Sequence, residues 1–485
     1  MSLQFITGNS GNGKTKYLFN RIVKEAKANP RDNYLVIVPE QFTMQTQRQL
    51  VDLSENKAIM NIDVLSFKRL AYRVFDELGI TNLTVLEETG KNLVLRKLAA
   101  QEADKLGVIG RNLNRIGYIS EVKSLLSELV QYNISPEELG RYIASGRLSD
   151  TLSDKLKDVL VLYEAFEKFM QDKYITAEEI LNVLSNVAEE SAILRNSVIA
   201  FDEFTGFTPI QNQLIKKLFV ISKKIYVTLT IDCREDIFKS RGMQELFDMP
   251  KRTVKSLTEM AAFYGIEVEE PIILDKNYRL AENEELSFME QQLFRKRRCS
   301  FKKAPKHIHI DCLRDPKQEL TKIARRINEL VRNENLRYRD IAIVTGDVNI
   351  YAGYVREIFD KYNIPYFIDA TQEILFHPFI EFIRSIPDIA AQNFSADAVF
   401  RFLRCGFSEL LGSEIDVLEN YVLACGVRGK SAWDKKWVRL PKHKAGYDLE
   451  LLNQSREYIM ELLKPVYQVF SDKKSTVKDY VLAIY

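Results

Sequence analysis

The stretch GNSGNGKT, residues 8–15, decides how the rest of this chain is read. Leu3, Phe5 and Ile6 ahead of it make an apolar strand, and KYLFNRIVKEAKAN behind it carries Leu18, Ile22 and Ala26 on one helical face. Strand, G-x-x-x-x-G-K-T and helix is the order that a phosphate-binding P-loop requires. Gly8, Gly11 and Gly13 let backbone N–H groups turn toward phosphate oxygens, with Asn9, Ser10 and Asn12 completing the loop. The helix N-terminus adds partial positive charge. Lys14 is then the residue that reaches the β- and γ-phosphates of ATP, and Thr15 the one that holds Mg²⁺. A chance match in an ordinary turn is the competing reading, and the strand and helix on either side argue against it.

The second half of such a site is an apolar strand ending in an acid. NSVIAFDEFTGFTPIQ, residues 196–211, supplies Val198 to Phe201 and then Asp202 and Glu203. Asp202 is expected to bind Mg²⁺ through its water shell, and Glu203 to orient the attacking water as the catalytic residue. An acid at a strand end is common and mostly structural, so the P-loop is what gives this pair its meaning.

Between the two motifs, DNYLVIVPEQFTMQTQRQLV reads as strand, turn and helix. VLSFKRLAYRVFDELG is a helix with Phe67, Leu70, Ala71, Val74 and Leu78 inward and Lys68, Arg69, Tyr72 and Arg73 on its other face. From about residue 88 to 185 the pattern is helical, with capping boxes at SPEEL and TAEEI, and reads as an inserted subdomain. SVIAF and KKIYVTLTID are strands on either side of the helix PIQNQLIKKLF. The basic run FRKRRCSFKK is a solvated linker or a DNA contact. Then a second α/β unit is expected, with strands HIHIDCL, DIAIVT and IPYFID and helices between them. His307 and His309 share a strand face, but no third zinc ligand stands at suitable spacing. Helical sequence resumes at His377, and VKDYVLAIY carries no stop signal, so a cut inside a helix is expected there. The division that follows is 1–285 as a first RecA-like domain, 286–306 as linker, 307–376 as the start of a second such domain, and 377–485 as a truncated helical insertion.

Composition narrows the class. With 485 residues, 28% charged and 46% hydrophobic, the chain is a globular multidomain protein. The net charge of +2 shows no global basic excess, so any nucleic acid must bind through local patches. The five cysteines lie far apart with no C-x-x-C, which favours reduced thiols in a cytoplasmic protein. No leader or membrane-spanning run is evident, and no membrane partner is expected.

Two α/β units, the first holding a P-loop and a helical insertion, resemble a superfamily 1 DNA helicase motor. More specifically, the sequence resembles the AddB (RexB) family of AddAB helicase–nucleases. GNSGNGKT, VPEQFTMQ, SFKRLAYRVFDELG, DEFTGFTPIQ, RYRDIAIV, YNIPYFIDA, HPFIEFIRS and LENYVLACGVRG carry the likeness, in one order along nearly the whole chain. The resemblance implies a heterodimer with an AddA-like subunit that processes DNA double-strand breaks, acting on duplex ends and on single-stranded DNA. It implies that the amino-terminal part is helicase-shaped without being a motor. A nuclease and an iron–sulfur cluster would belong to a carboxy-terminal part missing here. By the same likeness, Gln41, Phe42 and Thr43, and Ser66 with Lys68, Arg69 and Tyr72, are the candidate contacts to single-stranded DNA.

Two departures bear on hydrolysis. Only seven residues precede Gly8, leaving no place for the upstream glutamine motif that grips adenine, and Thr345, Gly346 and Asp347 stand where such motors carry an arginine. A nucleotide site kept for binding, with weak hydrolysis at most, is the expectation. An active ATP-driven translocase and a P-loop phosphotransferase are the alternatives.

Overall fold

The computed structural model describes all residues except 82–83, 109, 111–115, 146–147, 172, 296–298, 371–373, 442–445 and 473. It divides the chain into two units, Met1–Ile310 and Asp311–Tyr485. In the first, strands β1 (Ser2–Gly8), β2 (Tyr34–Ile37) and β3 (Ile62–Leu65) are followed by a separate short pair, β4 (Val85–Leu86) and β5 (Ile175–Thr176). Then come β6 (Val198–Phe201), β7 (Lys224–Thr230), β8 (Glu267–Val268) and β9 (Ile272–Leu274). The main sheet runs β3-β2-β6-β7-β1, with β8 and β9 both on the far edge of β1, and every pairing is parallel.

A parallel sheet needs both faces covered, which is why YLVI and VIAF are continuous apolar runs. Alternation sorts them. Leu3, Phe5, Ile37 and Phe201 face a core shared with Leu70 and Leu214, whereas Ile6, Val36 and Ala200 face Leu18 and Leu50. The first face is closed by helices that include Phe67–Leu78 and Pro209–Ile221, the second by Lys14–Ala28 and Thr43–Leu53. Because the strands are all parallel, their carboxyl ends share one edge. Gly8, Ile37, Leu65, Phe201, Thr230 and Leu274 all deliver their following loops there.

Between β4 and β6 lies a helical block with its own core around Leu95, Leu126 and Leu162. Ser135 caps the helix Pro136–Ala144, whereas Thr176 lies three residues before Glu179, the N-cap of Ile180–Val187. Ser135 accepts from the N–H of Glu138, and Thr176 and Glu179 exchange side-chain-to-backbone bonds at 2.6 and 3.2 Å. Residues 286–306 do not begin as linker, since the helix Glu284–Gln292 runs into them and the unit extends to Ile310. Lys296, Arg297 and Arg298 of the basic run lie outside the described residues.

The second unit is helical among its described residues. Helices Pro316–Asn333 and Val348–Lys361 form, but residues 307–313, 340–345 and 364–369, expected as strands, take no strand pairing. Alternating apolar residues satisfy the strand pattern, yet a strand exists only with a ladder partner. Ile310, Val344 and Phe367 are accordingly 94%, 93% and 88% exposed. His307 is tied to Glu285 through its backbone N–H, and among the described residues no group of His, Cys, Asp and Glu is placed to hold a metal by itself. No described helix is long and apolar enough to cross a membrane.

Candidate functional site

The loop after β1 is tight because glycines hold it open where other residues would not fit. Gly11 and Gly13 sit at φ 89° and 81°, and a Cβ at Gly11 would lie 2.8 Å from both the Cβ of Arg279 and Oδ1 of Asn277. Lys14 opens the following helix and folds back, its Nζ donating to the carbonyls of Gly8 and Asn9 at 3.0 Å each. Burial lowers the pKa of its ammonium, while Glu203 and Asp202 pull the other way.

Those two acids arrive from β6, two strands away. β7 fills the gap between β6 and β1 and contributes Thr228, whose hydroxyl donates to Oδ1 of Asp202. Asp202 is 1% exposed, and its other oxygen, Oδ2, is buried without a hydrogen-bond partner. Burial raises its carboxyl above the ordinary range, and the neighbouring Glu203 adds to that, against the Thr228 bond. Glu203 accepts from Oγ1 of Thr15 at 3.3 Å and holds φ at 63°, a left-handed conformation costly for a residue with a Cβ. An orphaned carboxylate oxygen beside a threonine hydroxyl and a lysine fits a magnesium–nucleotide, for which it is a buried anionic acceptor.

A third element closes the site, and the sequence reading missed it. The segment after β9 straps the glycine loop. Asn12 Nδ2 donates to the carbonyl of Leu274 at 2.5 Å, Asn277 Nδ2 to that of Ser10 at 2.9 Å, and the N–H of Tyr278 to Gly11 at 3.0 Å. Arg279 reaches Oγ of Ser10 at 3.3 Å, and its charge opposes that of Lys14. Lys14, Thr15, Asp202, Glu203, Tyr278 and Arg279 all line one cleft of about 790 Å³. Behind the loop, Asn9 bridges the N–H of Cys233 and the carboxylate of Glu290 at 2.9 and 2.6 Å. Burial would raise the neighbouring Asp232, but Arg234 and Arg295 hold it down to about 2.

A second cavity, of about 310 Å³, opens at the ends of β2 and β3. Ser66, Phe67, Lys68, Glu40 and Phe204 line it. Of the residues expected to touch DNA, Ser66 and Lys68 meet here, Ser66 also capping its helix by accepting from the N–H of Arg69. Gln41 and Arg69 are exposed, and Tyr72 is 39% exposed against Phe75. Phe42 lines the cleft of the glycine loop instead, and Thr43 is buried with its hydroxyl given to the carbonyl of Glu40.

The family profile described as ADDB, N-terminal, matches residues 5–290, which hold every group of the cleft. The chain belongs to the AddB amino-terminal family. Along its whole length it is similar to proteins whose shared name makes each the second of the lettered subunits of an ATP-dependent helicase/deoxyribonuclease. That of Lachnoclostridium phytofermentans is 39% identical, and those of Clostridium tetani and Clostridioides difficile are 33% identical. This AddB-family chain spans 43% of the length of each of these three relatives while all of it is covered.

Asp202 gives a test of the cleft that needs no partner. A carboxyl whose folded pKa lies above its unfolded value of 3.8 destabilises the fold wherever it is ionised, so stability from this group rises as pH falls through the folded pKa toward 3.8. Asp202→Asn keeps the acceptor for Thr228 and removes the charge. Thermal melts without nucleotide are expected to show a higher midpoint near neutral pH, with the difference vanishing in acid. The Mg²⁺-dependent gain in nucleotide affinity is expected to fall about tenfold or more, the worth of one charge-assisted contact. A variant that melts lower at neutral pH and still responds to Mg²⁺ would contradict the assignment.

Proposed function

We propose that this chain is the P-loop, RecA-like, helicase-like portion of one subunit of a heterodimeric helicase–nuclease, binding ATP with Mg²⁺ and single-stranded DNA in the repair of DNA breaks. The observation that carries it is the convergence of Lys14, Thr15, Asp202, Glu203 and Arg279 on one cleft at the carboxyl edge of a parallel sheet. The relatives are named as one subunit of an ATP-dependent helicase/deoxyribonuclease, which supports a partner subunit, taken here as AddA-like, and DNA as substrate.

In this reading Lys14 and the loop N–H groups hold phosphate oxygens, while Thr15 and Asp202 hold the metal, which neutralises phosphate charge when bound. Glu203 takes a proton from the attacking water, Arg279 offsets charge on the transferred group, and Tyr278 offers an aromatic face beside Gly13. Single-stranded DNA crosses the same sheet edge at Gln41, Ser66, Lys68, Arg69 and Tyr72. Turnover is weak, a reading that rests on Thr345, Gly346 and Asp347 where working motors carry an arginine.

Arg279 favours a second reading, an active motor, because it supplies within the first unit a cation that the sequence reading had not found. ATP turnover with and without single-stranded DNA separates the two. Near-background rates in the wild type, Glu203→Gln and Arg279→Ala, with binding kept within a few-fold, are the expected result. Turnover stimulated by DNA and lost by about a hundredfold or more in either variant would make the chain a motor. A wild type that binds no nucleotide would overturn both.

A further inference from the structure

Residues 428–440 of the second unit, RGKSAWDKKWVRL, form an irregular segment around one short helix, Lys430–Asp434. Such a segment stays in place only if its backbone groups find partners. Here buried side chains provide them. Asn453 exchanges hydrogen bonds with both backbone groups of Trp437 at 2.8 and 2.9 Å, and Arg456 donates to the carbonyl of Trp433 at 2.9 Å. Tyr421 donates its hydroxyl to the carbonyl of Arg439 at 2.7 Å. The rings of Trp433 and Trp437, 5.2 Å apart, are turned into the core and are 0% and 6% exposed.

What this clamp leaves outside is charge. Arg428, Lys435, Lys436 and Arg439 are exposed, and none makes an ion pair among the described residues. Lys430 is spoken for, paired to Asp434 at 2.9 Å and lying over the ring of Tyr467. In the same unit the exposed Arg384 and Arg404 and the half-buried Arg401 sit on carboxylates. Five cations against Asp434 make the segment +4, on a chain whose total is +2.

We propose that residues 428–440 are a contact to the phosphate backbone of duplex DNA, made without reading sequence. Single strands are held by aromatic faces on which bases stack, and here both aromatic rings are buried. Cations on a fixed backbone, with no stacking surface, are what regularly spaced duplex phosphates require. The inference rests on the DNA-handling reading above but uses none of its residues.

The test is the salt dependence of binding to a labelled duplex of arbitrary sequence, by anisotropy. Each phosphate contact contributes about 0.9 to the slope of log K against log[salt]. Arg428→Gln/Lys435→Gln/Lys436→Gln/Arg439→Gln is expected to reduce that slope by about 2–4 and to weaken binding about tenfold or more at moderate salt. Trp433 and Trp437 are the only two tryptophans in the chain, so unchanged emission shows the segment still folded. Should emission shift, Lys435→Gln and Lys436→Gln singly are each expected to lower the slope by about 1. An unchanged slope overturns the proposal, as does a wild type that binds single strands but not duplex, which leaves the proposed function standing. A wild type that binds neither overturns both. Intact duplex binding with lost association to the partner subunit would make the segment a dock for an acidic protein surface instead.

Discussion

Lys14→Ala is expected to weaken ATP binding by about a hundredfold to a thousandfold while leaving the melting temperature nearly unchanged. Removing one partner of a buried charge contact costs about 3–5 kcal/mol, and each 1.4 kcal/mol is tenfold in affinity. Two features make the site sensitive to the loss of Lys14. Its Nζ caps the carbonyls of Gly8 and Asn9, so its loss turns two bare oxygens toward the phosphates. Both Asp202 and Glu203 also act on its titration, holding its ammonium charged against burial. Lys14→Arg is not a conservative rescue, because a planar fork does not fit between two carbonyls that a compact ammonium spans. The fold should survive, since the aliphatic part of the helix Lys14–Ala28 is held by Leu18, Phe19 and Ile22 and not by its first residue. Titration with a fluorescent ATP analogue, beside a thermal melt, reads both quantities. Affinity within threefold of wild type would mean that the loop does not hold phosphate.

How much of this could be read beforehand follows from which contacts are local. The glycine loop was legible because strand, turn and helix are contiguous, and the strand pattern of SVIAF followed by Asp202 and Glu203 was legible for the same reason. Tyr278 and Arg279 were not. They reach the loop only because β9 pairs with β1, Gly8 opposite Leu274, a register fixed far downstream by backbone pairing. The available signal was a short apolar run, IIL, followed by the polar stretch DKNYR, the same strand-then-polar grammar that gave Asp202. Thr228 was hidden for a related reason: that β7 lies between β1 and β6 is a fact of strand order. The false strands at 307–313, 340–345 and 364–369 show the converse. Alternation reports which residues could line a sheet face, and pairing decides whether a sheet exists. Thr43 failed on burial, which no pattern of a single turn predicts.

Phe201→Ala carries the largest expected cost to the fold, about 3–5 kcal/mol. The ring is fully buried in the core under the sheet and lies 5.8 Å from Phe67, 6.2 Å from Phe204 and 5.2 Å from Phe207. This tetrad fastens the end of β6 to the helix Phe67–Leu78 and to the loop that carries Asp202 and Glu203. A hole at its centre cannot close by moving β6, because that strand is paired on both sides, to β2 and to β7. The cavity therefore persists, and the neighbouring rings relax into it. Phe204 and Phe207 are both half-buried and so free to do so, and Phe204 follows directly on Glu203. Its movement would release the left-handed backbone of Glu203, which only a well-packed surrounding can maintain. Denaturant unfolding of the first unit should thus show the loss in midpoint, and nucleotide binding measured well below that midpoint should weaken as well. Phe263→Ala, at a ring 82% exposed, is the matched control and is expected to cost under about 0.5 kcal/mol. If both variants unfold alike, the aromatic tetrad is not what holds the acid pair in the cleft. If Phe201→Ala loses stability but keeps full nucleotide affinity, the conformation of Glu203 is set by β6 and the glycine loop alone.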